Sequence, residues 1–173
     1  MHDLSLYLLE VLENSTRAGA TRVDIELVID RALDELRLAV DDDGRGLAAT
    51  PEQTLDPFYT TKPGKKTGLG LSMLRADAQA AGGDLVVGAS PSLPGTRVEA
   101  FMRFSHVDRL PLGDMATTIL VTALTNPDVE FTVTLRGDEF IPPLEYAPPA
   151  EAAVRLQQET PELVGRNTNE REL

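Results

Sequence analysis

Apolar positions near the start of the chain recur with a helical period, which predicts a helix over Leu4 to Ala20. Leu4, Leu8, Val11, Leu12 and Ser15 fall on one arc, suited to packing on a sheet; Tyr7, Glu10, Asn14 and Arg17 fall on another. A carboxylate, a carboxamide and a guanidinium on successive turns of one face can hold a hydrated metal ion, steer a water and contact a phosphate. Packing alone requires no such row. Gly19 stands where a left-handed cap is expected. Leu6 and Leu9 point away from the core arc, so they should be covered, either by the segment after Phe104 or by a second copy of the chain.

Beyond the helix the pattern switches to alternation. Thr21 to Ile29 and Leu36 to Val40 predict an antiparallel pair joined by a turn at Asp30 to Glu35. The second strand runs into Asp41-Asp42-Asp43-Gly44-Arg45-Gly46, whose glycines let the backbone approach a ligand. Ala48 to Thr67 has no long period and reads as a loop or lid with one helical turn at Pro51 to Leu55. Gly68-Leu69-Gly70-Leu71 opens a helix to about Ala81, and the N–H groups at such a start can face an anion. Asp84 to Ala89 and Arg97 to Phe104 form a second predicted antiparallel pair. A helix over Gly113 to Leu124 and a hairpin of Val129 to Leu135 with Phe140 to Leu144 follow. Pro148-Pro149 opens a predicted helix to about Glu159, and the polar tail from Gly165 is expected to be disordered.

Composition narrows the partners. A net charge of −12 argues against nucleic acid and anionic membranes and favours a basic partner. The absence of cysteine excludes disulfides and thiolate chemistry, fits a cytoplasmic address and, with only two histidines, argues against a structural zinc site. No apolar run approaches the ~20 residues that span a bilayer, and no signal peptide is expected.

Four stretches, in order, resemble the motif boxes of the GHKL superfamily, the ATP-binding domain shared by gyrase, mismatch-repair ATPases, chaperone ATPases and sensor histidine kinases. They are Glu10 to Ile25, Asp42 to Gly46, Asp56 to Lys62 and Thr67 to Leu71, within a resemblance covering Leu4 to Phe104. The resemblance implies an α/β sandwich of the Bergerat type: a mixed, mostly antiparallel sheet with helices on one face, binding ATP and Mg²⁺ between helices and lid. It implies that Asn14 places its side-chain oxygen on Mg²⁺ and that Asp42 accepts a hydrogen bond from the adenine amino group, with Gly44 and Gly46 giving the base room. Asp41 and Asp43 read as flanking charges. Glu10 is implied as the general base for water or, alternatively, as a carboxylate that only helps hold the hydrated ion. Arg17 resembles the phosphate-reaching lysine of the kinases, with a helix-end cap as its other reading. Gly68 and Gly70 are assigned to phosphate contact, and Thr61, Lys62, Lys65, Lys66, Thr67, Leu69, Leu71 and Thr96 complete the ATP-binding set.

His106 to Leu112 shares His, Arg, Pro and Leu with the phosphoacceptor box of histidine kinases. Val107 replaces the acid of that box, which here follows the ATP domain instead of preceding it, so His106 and His2 are read as structural or solvated. The first box begins close to Met1, so the N-terminal segment that gyrase-type ATPases swap is expected to be missing, and clamp closure by that route is not expected. The stretch from His106 resembles short stand-alone GHKL proteins encoded near iron-only hydrogenases. The expected division is an ATP-binding domain over 1–104, an α/β extension over 105–145 packed on it, and a C-terminal helix and tail over 146–173. Three functions stay open: a slow ATPase or nucleotide switch with a protein partner, a kinase acting on a partner's His or Ser, and a non-enzymatic adenylate-dependent binding module.

Overall fold

The structure, a computed structural model, describes residues 3–59, 69–138 and 140–146. The predicted C-terminal helix and tail lie outside them. The opening helix, α1 (Leu4–Arg17), is started by Asp3, whose carboxylate accepts the Leu6 N–H at 3.1 Å. Two reversed hydrogen bonds end it: Gly19, at φ 77°, donates to the Thr16 carbonyl, and Ala20 donates to that of Ser15. Leu4, Leu8, Val11 and Leu12 are buried as their spacing predicts, and Ser15 is buried with them.

The strands β1 (Arg22–Asp30), β2 (Glu35–Asp42), β3 (Asp84–Ala89), β4 (Thr96–Arg103), β5 (Glu130–Gly137) and β6 (Phe140–Tyr146) form one sheet in the order β3-β4-β2-β1-β5-β6. β1 and β5 run parallel; the other neighbouring pairs run antiparallel. The helices α2 (Pro51–Thr54), α3 (Leu69–Ala80) and α4 (Met115–Thr125) complete the fold. The mixed, mostly antiparallel α/β architecture expected from the sequence is the one observed.

Alternation decides which face is covered. Val23, Ile25, Leu27 and Ile29 of β1, Leu36, Leu38 and Val40 of β2, and Val133 and Leu135 of β5 are buried in one cluster with α1, α3 and α4. Each such side chain contributes roughly 1.5–3 kcal/mol when fully removed from water. The intervening positions are mixed, with Val28 and Ala39 buried among them, and their charged side chains pair on the outer face: Arg97 with Asp41 and Glu99, Arg37 with Glu35, and Arg136 with Glu26. The β1–β2 turn is latched to the chain after β4. Asp34 accepts from the Ser105 N–H at 2.7 Å, Ser105 Oγ at 3.0 Å and Arg103 Nε at 3.0 Å.

The segment from Ser105 joins the same layers. The Pro111 and Leu112 carbonyls accept the N–H groups of Leu4 and Ser5, each at 3.0 Å, which satisfies donors that the first turn of α1 would otherwise leave unpaired. Met115 and Ile119 of α4 reach the core beside α1. This segment therefore lies next to α1, not over its far arc. The expected cover for Leu6 and Leu9 is not supplied among the described residues: they are 50% and 37% exposed. No helix among the described residues is long and apolar enough to cross a membrane.

Candidate functional site

The end of β2 delivers Asp42 beneath the last turns of α1. Asp42 is 5% exposed, and its carboxylate is held entirely by neutral donors among the described residues. Oδ2 accepts from Ser15 Oγ at 2.8 Å; Oδ1 accepts from the N–H groups of Gly44 at 3.0 Å and Thr96 at 3.1 Å. Gly95 backs this arrangement closely, since a Cβ there would overlap Asp42 Oδ1 and the Asp42 carbonyl. Above Asp42 opens a pocket of about 450 Å³. Its walls come from α1 (Glu10, Val11, Asn14, Arg17), the segment after β2 (Arg45 to Ala49, with Thr54 and Tyr59), the start of α3 (Gly70, Leu71) and the strands (Val87, Thr96, Val98). An acceptor at the floor of a slot walled by Val11, Leu47, Leu71, Val87 and Val98 suits a flat heteroaromatic ring carrying an amine.

Glu10, Asn14, Arg17, Asp42, Gly46, Gly70, Leu71 and Thr96, separated along the chain, thus line one cavity. Gly44 contributes its N–H to Asp42, Gly46 takes a φ of 80°, and Leu69 opens α3. Thr61, Lys62, Lys65, Lys66, Thr67 and Gly68 lie outside the described residues. On α1, Arg17 donates to Asn14 Oδ1 at 3.1 Å and pairs with Glu13 at 3.6 Å, so it sits both at the helix end and on the pocket wall. Gly70 lies against the Glu10 carboxylate, where any Cβ would overlap Oε2. The first turn of α3 therefore closes directly on Glu10.

One expectation needs correction. Tyr7 does not belong to the open polar row. It is buried, and its hydroxyl donates to Asp77 Oδ2 at 2.7 Å, tying α1 to α3. Burial first, and then Asp77, push its phenol well above the usual range. Asp41 and Asp43 flank Asp42 without lining the pocket, and each is tied down by its own partners. Asp41 is buried against Arg97 and Ser90 on the outer face. Asp43 accepts from Thr21 Oγ1 at 2.6 Å and from the N–H groups of Thr21 at 2.7 Å and Arg22 at 2.9 Å, which lowers its pKa. Ser15, Ser90 and Gly95 were not assigned from sequence as supports of this site. Ser15 carried a signal, being a hydroxyl on an otherwise apolar arc, where it needs a buried partner.

His106 lies beside Gly82, at the far end of the 12-residue helix α3 from Gly70. At about 1.5 Å per residue that is ~18 Å from the pocket's α3 wall. Its Nδ1 accepts the Asp108 N–H at 3.1 Å, in keeping with a structural role. No group of three or more His, Cys, Asp or Glu among the described residues could hold a metal ion.

A family model for the histidine kinase-, DNA gyrase B- and HSP90-like ATPases matches residues 2–106. The chain belongs to this family. Among solved structures, the N-terminal domain of a DNA repair protein aligns with a TM-score of 0.52 at 17% identity, over 84% of this chain and 51% of that one. This chain thus spans about half the length of that structure, and the likeness is one of fold. A mycobacterial sensor histidine kinase, MprB, aligns at 27% identity and a TM-score of 0.44, over 56% of this chain and 66% of that one. The Aquifex aeolicus MutL ATPase domain complexed with ADP aligns at 20% identity and a TM-score of 0.44, over 92% of this chain and 70% of that one. No curated protein sequence matches the chain.

Proposed function

We propose that the chain binds ATP with Mg²⁺ in this pocket and works as a slow ATPase or nucleotide-dependent switch. The observation that carries the reading is the Asp42 carboxylate. It is buried at the floor of an apolar slot, with Oδ1 taken by two backbone donors and Oδ2 by Ser15 among the described residues. The acceptor capacity left on Oδ2 suits the exocyclic amine of adenine and disfavours a carbonyl at the same place.

The donor set also fits the metal. Asn14 and Glu10 present oxygen atoms on one wall of the pocket. An ion that arrives on the phosphates and keeps its waters needs few protein ligands. When bound, Mg²⁺ offsets the charge of the phosphate groups. Asn14 would hold it through Oδ1, and Arg17, now on that oxygen, would turn to a phosphate. Glu10, packed against Gly70, would orient a water or take its proton. The N-terminal N–H groups of α3 would face the phosphates, with Thr61, Lys62, Lys65, Lys66, Thr67 and Gly68 completing the contacts.

Exposed Leu6 and Leu9 on α1, with Val121 and Leu124 on α4, support a protein partner or a second copy of the chain. We place the protein's work in the cytoplasm. The test is incubation with γ-labelled ATP, following phosphate release and acid-labile protein label together, beside calorimetry with ATP and Mg²⁺. Phosphate released by the chain alone supports the ATPase. Label on an added partner supports a kinase, and binding with neither supports an adenylate sensor. No heat at millimolar nucleotide and metal overturns the proposal.

A further inference from the structure

Asp41 and Asp42 are neighbours on β2 and face opposite sides of the sheet, yet each grips one end of the same turn between β3 and β4. On the outer side, Asp41 is 6% exposed and accepts from Ser90 Oγ at 2.6 Å and from an Arg97 guanidinium nitrogen at 2.5 Å. Arg97 Nε and its other terminal nitrogen donate to Glu99, which fixes the guanidinium in place. Ser90 is the hub of the turn. Its Oγ also accepts the N–H groups of Ser92 at 3.3 Å and Leu93 at 3.1 Å, and its own N–H donates to the Gly95 carbonyl at 3.0 Å. On the inner side, the far end of the turn gives the Thr96 N–H to Asp42 Oδ1, with Gly95 pressed against the same oxygen.

We infer that the Asp41–Ser90–Arg97 cluster, on the face of the sheet away from the pocket, sets the orientation of the Asp42 carboxylate and thereby the choice of nucleobase. The inference rests on the adenine reading of Asp42. A carboxylate separates an amine from a carbonyl only when the lone pair it offers has a fixed direction. Two backbone N–H groups fix Oδ1, and one of them, on Thr96, is only as well placed as the turn that ends there. Loosening the turn at Ser90 frees Thr96 to move, the carboxylate can rotate, and a base presenting a carbonyl meets less opposition. Asp41, Ser90 and Arg97 are positioning residues, since none of them lines the pocket.

The test compares Ser90→Ala and Ser90→Thr in the full chain by two measurements. One is the ratio of ATP to GTP affinity with Mg²⁺, by calorimetry. The other is amide hydrogen exchange at Thr96 in nucleotide-free protein, by NMR. One hydrogen bond is worth about a factor of ten. Ser90→Ala should therefore lower the ATP:GTP preference and speed Thr96 exchange by about tenfold each, and Ser90→Thr, which keeps the hydroxyl, should restore both. Arg103→Ala, which loosens the Asp34 latch at the other end of β4, should lower stability and leave the ratio unchanged. Unaltered Thr96 exchange in Ser90→Ala overturns the positioning role, as does equal damage from the two Ser90 variants. A wild-type chain that binds neither nucleotide overturns the adenine reading instead, and Thr96 exchange still decides whether Ser90 positions the turn.

Discussion

On the outer face of the sheet, carboxylates meet guanidinium groups: Asp41 and Glu99 share Arg97, and Glu26 pairs with Arg136. On the inner face, Asp42 is buried as deeply as Asp41 and is met only by a hydroxyl and two backbone N–H groups among the described residues. Neutral donors compensate a buried charge less fully than a cation does, so the inner arrangement gives up stability that the outer one keeps. An apolar residue in place of Asp42 would leave the Ser15 hydroxyl and the Gly44 and Thr96 N–H groups without their acceptor, so the carboxylate also organises its own surroundings. A carboxylate kept there without a cation is what a ligand bearing an amine would require, and such local violations of packing rules concentrate at functional sites. Of the two neighbouring aspartates on β2, the one matched by a cation faces away from the pocket and the one matched by dipoles lines it.

The contrast can be broken in four ways, in falling order of effect. Glu10→Ala should lower ATP turnover by about 10²- to 10⁴-fold while sparing ATP affinity, measured by phosphate release and calorimetry. Turnover at the wild-type rate would remove Glu10 as the base. Asp42→Asn should weaken ATP binding by about 10- to 100-fold, the worth of a hydrogen bond to a charged group, with thermal stability unchanged or raised. Unchanged affinity would remove the adenine assignment, and a large fall in Tm would show that the carboxylate serves the scaffold after all.

The third test is acid. The Asp43 pKa is held below the ordinary carboxylate value, chiefly by the Thr21 hydroxyl and then by the Arg22 N–H. A depressed folded-state pKa adds stability that is complete above the unfolded value of about 3.9 and is lost as pH falls through the folded value. Thermal unfolding should therefore show Tm dropping below about pH 4. Asp43→Asn should start lower at pH 7 and lose less on the way down. The smallest effect is expected on the outer face. Arg136 and Glu26 form a partly exposed pair, so Arg136→Ala should cost only about 0.2–1 kcal/mol in denaturant unfolding, and less still in high salt.

The sequence made legible whatever is encoded locally. The period of α1, the alternation of β1 and β2, and the glycines after Asp43 and before Leu71 each report a conformation that neighbouring residues dictate. The ordered boxes named Glu10, Asn14, Asp42 and Gly70, and these four residues line one cavity. What escaped was decided at long range. Nothing near Tyr7 announces Asp77, nothing near Asp41 announces Ser90 and Arg97, and the turn containing Gly95 reads only as a connection. Leu6 and Leu9 look as if they need cover, but helical phase tells only which arc they occupy, not where the chain returns.

The parallel union of β1 with β5 has a consequence for how the molecule can be made or cut. Arg22 pairs with Glu130, so the flank of β1 waits for a strand synthesised near the end of the described chain. A fragment stopped at residue 106, where the family match ends, would leave that flank's N–H and C=O groups bare and strip the Pro111 and Leu112 carbonyls from the first turn of α1. A raw strand edge is a template for pairing with another molecule, so such a fragment should aggregate where the longer chain stays monodisperse. The β1–β5 pairing also joins residues far apart along the chain, so closing it carries a loop-entropy cost and folding is expected to be slow.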